Sequence, residues 1–242
     1  MKMRRLLLSA CVFFTFLACA SAQAQSTTSC PAGTYDMLDW MTMDSSLRGS
    51  NHLAGSANPM YTDIASNKFY WTKGVNGYPW DIQLYDSHYI YLWITEYAWS
   101  DPRTYKKFSY NTNMPLAPRC AKGGYPGTTI TVPDTTYDIY TSCNNHTTHN
   151  LKKAINQVYG PYNLSLGGSL PNNLPALVVS YRYSCVSAYS NCSNKEEFYL
   201  SQKYGLVQWV YYVLVNGKYQ QQQKSVFNTM KSGKTTPDFA CF

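Results

Sequence analysis

The clearest alternation in the chain runs from His88 to Glu96, where Ile90, Leu92 and Ile94 fall on one side and Tyr89, Tyr91 and Trp93 on the other. A period of two over that length predicts a β-strand, whose successive side chains point to opposite faces of a sheet. Residues 81–85 precede it across Asp86-Ser87, so the pair reads as a hairpin with one aliphatic face and one stripe of three rings. Residues 68–73, 105–110, 177–184 and 198–200 read as further short strands, and 128–132 and 137–140 as two more flanking a Pro133-Asp134 turn. On 177–184, Val179, Tyr181 and Tyr183 share a face opposite Ser180 and Arg182. Residues 206–216 are apolar on both faces, as in a central strand, and Asn216-Gly217 is the strongest short hairpin signal, with 218–227 returning beside it.

A helical period occurs once. Leu151, Ala154, Ile155, Val158 and Tyr159 follow the 0, 3, 4, 7, 8 spacing of an apolar helix face, with Thr147 or Thr148 to cap it and Gly160-Pro161 to end it. Residues 35–44 fit strand or helix, and 45–67, 111–127 and 160–176, rich in Ser, Asn, Gly and Pro, read as loops. Roughly nine short strands with one short α-helix predict a mainly β fold, an antiparallel β-sandwich or jelly roll; an α+β fold with a single antiparallel sheet is the alternative.

Composition adds a compartment. Lys2, Arg4 and Arg5, an apolar run over 6–17 and small residues around Ala20, Ala22 and Ala24 form a secretory leader over 1–24, leaving one domain over 25–242. A lipid anchor at Cys19, after Phe16-Leu17-Ala18, is the rival reading, and no other run is long enough for a membrane span. The formal net charge of +7 drops to +4 without the leader's three cations, and the Lys and Arg are scattered. That distribution does not predict a nucleic-acid partner. Beyond the leader stand Cys30, Cys120, Cys143, Cys185, Cys192 and Cys241, an even set that predicts disulfides in an exported chain. Cys185 with Cys192 would staple one loop, Cys30 with Cys241 would clamp the ends, and Cys120 with Cys143 remains by elimination. No C-x₂-C spacing suggests zinc, and His146 with His149 lacks a third ligand, so no metal or cofactor is expected. Asp36, Asp39 and Asp44 lack the glycine and spacing of a calcium loop.

The candidate chemistry is aromatic. The chain has 23 tyrosines and 6 tryptophans, and rings held on a rigid sheet stack on apolar sugar faces while their OH and N–H groups bond polar edges. Tyr89, Tyr91 and Trp93, with Trp80, Tyr181 and Trp209, are the candidate ligand-binding rings of a secreted carbohydrate-binding protein. A polysaccharide-active enzyme on the same fold is the alternative. A lyase would use a base beside a uronate carboxylate with cations around it, for which His88, Tyr183 and Arg182 are candidates. A glycoside hydrolase would need two flanking carboxyls, and Glu96 with Asp81 or Asp86 is the candidate set, Glu196 and Glu197 being adjacent and therefore divergent on a strand. A cell-envelope protein-interaction module is the third reading. Asp86-Ser87-His88 is not a serine triad, because neighbours on an extended chain diverge.

Overall fold

The computed structural model describes residues 30–48, 51–55, 60–65, 67–73, 78–96, 104–108, 114–151, 153–186 and 189–233. The leader, Cys19, Trp99 and Cys241 lie outside these residues, as does the side chain of Glu96. The chain begins with β1 (Thr34–Asp36), α1 (Met37–Met41) and α2 (Ser45–Arg48), then β2 (Asn51–Gly55), β3 (Met60–Ala65), β4 (Lys68–Lys73), β5 (Tyr78–Tyr85), β6 (Tyr89–Glu96) and β7 (Tyr105–Phe108). There follow β8 (Met114–Pro118), β9 (Cys120–Lys122), β10 (Gly124–Val132), β11 (Thr135–Ser142), β12 (Asn145–Leu151) and β13 (Ala154–Leu164). The last are β14 (Leu174–Tyr183), β15 (Asn194–Ser201), β16 (Gly205–Val215) and β17 (Lys218–Ser232).

The fold is an antiparallel β-sandwich. One hydrogen-bonded path runs β10-β13-β14-β15-β16-β17-β2-β3-β4-β5-β6-β7-β11-β12, with β8 beside β6. It folds over on itself at β17, whose first part pairs with β16 up to Val226 and whose second part, from Phe227, pairs with β2. At that corner Gly55 has no room for a side chain: a Cβ there would lie 1.9 Å from the Val226 carbonyl oxygen. The two layers meet through rings. Trp71 of β4 lies 5.5 Å from Phe198 of β15, and Trp80 of β5 lies 5.5 Å from Trp209 of β16 at an interplanar angle of 86°. Burial of each such side chain stabilises the fold by roughly 1.5–3 kcal/mol. The buried Trp71 also donates its indole N–H to the Met41 carbonyl at 3.0 Å, which fixes α1 across one end.

The β5–β6 hairpin and the β16–β17 hairpin at Asn216-Gly217 stand as expected, with both turn residues at positive φ. Residues 128–132 and 137–140 are strands, but in different layers: β10 pairs with β13, while β11 pairs with β7 and β12.

Four expectations are corrected. The helix read over 151–159 is instead the end of β12 at Leu151 and the first part of β13, in which Ala154, Asn156 and Val158 are buried and Ile155, Gln157 and Tyr159 are partly exposed. The buried polar Asn156, which donates to the Pro115 carbonyl at 2.5 Å, masks the period of two and leaves an accidental helical spacing. Among the described residues the α-helices are instead α1, whose first turn is capped by the Asp36 carboxylate, and α2. The loops read over 45–67, 111–127 and 160–176 contain α2, β2, β3, β8, β9, most of the first half of β10, and the ends of β13 and β14. Their Ser, Asn, Pro and Gly sit in strands whose burial comes from across the sandwich rather than from local propensity.

Cysteine pairing is the third correction. Cys185–Cys192 forms as expected, but Cys30 bonds Cys120, so neither Cys30–Cys241 nor Cys120–Cys143 exists; Cys143 is also disulfide-bonded. The β1–β9 ladder decides it, because Asp36 pairs with Cys120 and brings the N-terminal segment beside β9. Last, the alternation of β6 breaks. Ile82 of β5 pairs with Ile94 and Gln83 with Leu92, so Trp93 is the extra residue of a bulge. Ile90 and Leu92 enter the main core, while Ile94 joins Ile82 and Tyr105 in a separate cluster on which Trp93 packs.

Candidate functional site

The same bulge builds the site. By restarting the alternation, it brings Thr95 to the wall of a cleft between the layers that Leu92 also lines. In register, Asp81 of β5 pairs with Thr95, and Thr95 pairs with Lys106 of β7, which lays an acid, a hydroxyl and a cation side by side on one wall. The facing wall is made by β14, β15 and β16. There Glu196 pairs with Tyr181 on one side and Tyr211 on the other, and all three line the cleft. Tyr183 stacks on Tyr181 with centroids 4.5 Å apart, and Trp209 lies parallel to Tyr211 at 6.3 Å. The result is a cleft of about 360 Å³ with Glu196 at the centre of four rings. That volume lies at the small end of the usual range of roughly 300–1,000 Å³ for small-ligand sites.

Electrostatics set these groups apart. Trp209 donates its indole N–H to Glu196 Oε2 at 2.8 Å, and the Tyr183 hydroxyl also bonds this carboxylate. Burial nevertheless pushes the Glu196 carboxyl above the usual range, against those two hydrogen bonds and the Lys106 ammonium, which hold it down. Burial pushes Lys106 below its usual value, opposed by the charges of Glu196 and Asp81. The phenols of Tyr181 and Tyr183 are pushed up by burial and by the Glu196 charge, so they serve as hydrogen-bond donors at neutral pH.

The structure gathers five of the residues singled out from the sequence, Trp80, Asp81, Tyr181, Tyr183 and Trp209, in this cleft. The others lie elsewhere. Tyr89 and Tyr91 pack ring to ring at 5.9 Å outside the cleft, with the Tyr91 hydroxyl donating to Asp86 at 3.0 Å. Trp93 is covered by the ammonium groups of Lys68 and Lys107, 4.5 and 5.8 Å from its ring. His88 is exposed in the β5–β6 turn, its ring nitrogen 3.0 Å from the Ser87 hydroxyl. Arg182 sits on β14 between Tyr181 and Tyr183, on the face turned away from the cleft.

No protein family, curated protein or solved structure matches this chain.

Sequence pattern alone points to none of Lys106, Thr95, Tyr211 and Tyr137, and it favours Glu96 over Glu196. A usable signal was present: residues 194–201 and 205–215 carry Glu196 and Phe198, and Trp209 and Tyr211, at spacings of two. The local strand signal of the first segment covers only 198–200, which leaves Glu196 outside it. Among the described residues no group of three or more His, Cys, Asp and Glu could hold a metal ion, and no helix is long and apolar enough to cross a membrane. His146 and His149 stand on β12, stacked on Tyr140 and Tyr137. Asp36 is engaged by the Arg119 guanidinium through two bonds, at 2.5 and 2.8 Å.

Proposed function

We propose that this is an exported carbohydrate-binding β-sandwich protein that takes its ligand into the cleft between the layers. The observation that carries the reading is the ring of Tyr181, Tyr183, Trp209 and Tyr211 around Glu196, facing Asp81, Thr95 and Lys106. Rings supply stacking faces, and the carboxylates, hydroxyls and ammonium supply the polar edges a sugar needs. The Cys30–Cys120 and Cys185–Cys192 disulfides fit an oxidising compartment. A second reading, glycoside hydrolysis in the same cleft, is favoured by one specific feature: two carboxyls, Asp81 and Glu196, line it, and the second is held toward its protonated form, as a general acid must be.

Native electrophoresis through gels containing neutral, amine-bearing or uronate polysaccharides tests the first reading. Retardation in at least one gel is expected, abolished by Thr95→Trp, which fills the cleft, and retained in Trp93→Ala. Unchanged mobility in every gel would move the assignment to a protein partner. Release of new reducing ends from a retarding polymer, lost in Glu196→Gln, would establish the hydrolase.

A further inference from the structure

The inner face of the layer built by β14, β15, β16 and β17 does not end at the cleft. In register, Tyr181, Glu196, Tyr211 and Gln223 stand in one row across these strands, and all of them line the cleft. The next inward-facing row is Tyr183, Asn194, Val213 and Gln220, of which Tyr183 alone lines the cleft. Gln222 is the extra residue of a bulge between the rows, which keeps Gln220 on the side of Gln223 and turns Gln221 to the outer face with Tyr212. Exposure rises in the same direction. On β16 the inner positions pass from buried Trp209 to half-buried Tyr211 and Val213, and on β17 from half-buried Ser225 to exposed Gln223 and Gln220. Among the described residues that line the cleft, Gln223 alone is exposed, so the cleft opens toward the β16–β17 hairpin.

The surface beyond the mouth continues the chemistry of the cleft wall. Trp209 and Tyr211 are parallel to within 4°, so two successive ring faces are turned one way along β16, and Val213 adds an apolar step beyond them. Amides flank that step. Asn194 accepts from the Tyr211 hydroxyl at 2.8 Å and donates to Ser193 Oγ at 2.9 Å, which leaves one N–H and one lone pair of its amide for a ligand. The exposed Gln220 amide brings two N–H donors and a carbonyl to the other side. Apolar surface between amides suits a sugar ring, which has apolar faces and hydroxyls around its edge. A cleft of about 360 Å³ holds a small ligand, and a longer one must leave by the mouth. From this register and this opening we infer that the cleft is the inner subsite of a groove along β16, that Tyr183, Asn194, Val213 and Gln220 form a second subsite, and that the ligand is an oligosaccharide with consecutive sugars in the two. The inference rests on the carbohydrate reading above and narrows it from a sugar to a chain.

The test is an NMR titration of the protein with the monomer and the trimer of glucose, N-acetylglucosamine, glucosamine and galacturonate, following the Trp209 indole and the Gln220 amide. For a sugar that binds, the monomer is expected to shift Trp209 alone and the trimer both signals, with an affinity at least about tenfold higher, the scale of one or two added hydrogen bonds. Gln220→Ala should weaken the trimer about threefold or more and leave the monomer unchanged. Gln221→Ala, its neighbour on the outer face, should change neither, and both positions are exposed, so neither variant disturbs the core. Equal affinity of monomer and trimer, a Gln220 signal unmoved by the trimer, a Gln220→Ala protein that keeps the full gain or an equal loss in Gln221→Ala overturns the inference and leaves the carbohydrate reading standing. Retardation by a polymer whose own monomer and trimer leave both signals unmoved does the same. No response to any of these sugars, with no retardation in any polysaccharide gel, overturns both.

Discussion

Glu196 and Glu197 are consecutive residues on β15, and they hold opposite situations on the two faces of one sheet. Glu197, on the outer face, accepts from Lys195 Nζ at 2.8 Å and Tyr159 at 2.9 Å on one oxygen, and from Tyr199 at 2.8 Å and Tyr212 at 3.0 Å on the other. Its acceptor sites are filled by the protein itself. These donors hold its carboxyl below the usual range although burial acts the other way. Glu196, on the inner face, bonds Trp209 and Tyr183, and its carboxyl is pushed up. A buried acid that the fold satisfies is part of the fold, whereas one that the fold leaves partly satisfied beside a cleft is available to a ligand. The contrast also explains why tyrosine count alone is a poor guide. Three of these phenols, Tyr159, Tyr199 and Tyr212, are engaged in holding one carboxylate on the outer face.

Breaking the satisfied side gives the largest effect. Glu197→Ala removes a buried charge that pairs with Lys195 and leaves three hydroxyls without their acceptor, and it should destabilise the protein by roughly 3–5 kcal/mol in denaturant unfolding. Glu196→Gln should change stability by less than about 1 kcal/mol. The pH dependence separates them further. Because the folded-state value of Glu197 is lowered, its stabilisation is complete above the unfolded carboxylate value of about 4.3 and is lost as pH falls through the folded value. The gap between wild type and Glu197→Ala should therefore be constant near neutrality and shrink below pH ~4. For Glu196 the sign reverses. Ionisation costs stability, a cost absent below about pH 4.3 and complete above its raised folded value, so Glu196→Gln should equal or exceed wild type at neutral pH. A Glu197→Ala protein as stable as wild type at pH 7 would erase the distinction.

A second, smaller effect lies in the closed part of the interlayer space. Gln83 of β5 is fully buried, and among the described residues neither its Nε2 nor its Oε1 has a hydrogen-bond partner. Unlike Glu196 it does not line the cleft, so its amide has no ligand to wait for. Replacing an unsatisfied buried amide by an apolar group of similar shape is neutral to stabilising, and Gln83→Met should raise stability by about 1 kcal/mol without altering ligand retardation. A loss of more than about 1 kcal/mol would show that the amide is engaged.

These sites also show what the sequence could disclose. The sandwich was legible because strand signals are local: the period of two on β6, the doubly apolar β16 and the Asn216-Gly217 turn each lie within one segment. What failed was whatever depends on register between segments. The Cys30–Cys120 bond follows from the β1–β9 ladder, and the cleft follows from Asp81, Thr95 and Lys106 aligning across three strands. The displaced face of Ile94 follows from a bulge with no glycine or proline at Trp93 to announce it. Tyr181, Tyr183 and Trp209 could be chosen as rings on strands, but their convergence on Glu196 could not be read from any one of them.

The finest test of the comparison changes a single donor. Trp209→Phe keeps a ring in the cleft wall and deletes the indole N–H that bonds Glu196 Oε2 at 2.8 Å. That bond favours the ionised carboxylate, so its loss must raise the Glu196 value further; a hydrogen bond to a charged group, about 1.5–3 kcal/mol, corresponds to roughly one to two pH units. Carboxyl ¹³C titration resolves both glutamates at once. Glu196 should titrate at higher pH in the variant, while Glu197, whose four donors all lie on the other face, should not move. If both shifted together, the sheet would not be insulating its two faces, and the assignment of one acid to the fold and its neighbour to the ligand would fail.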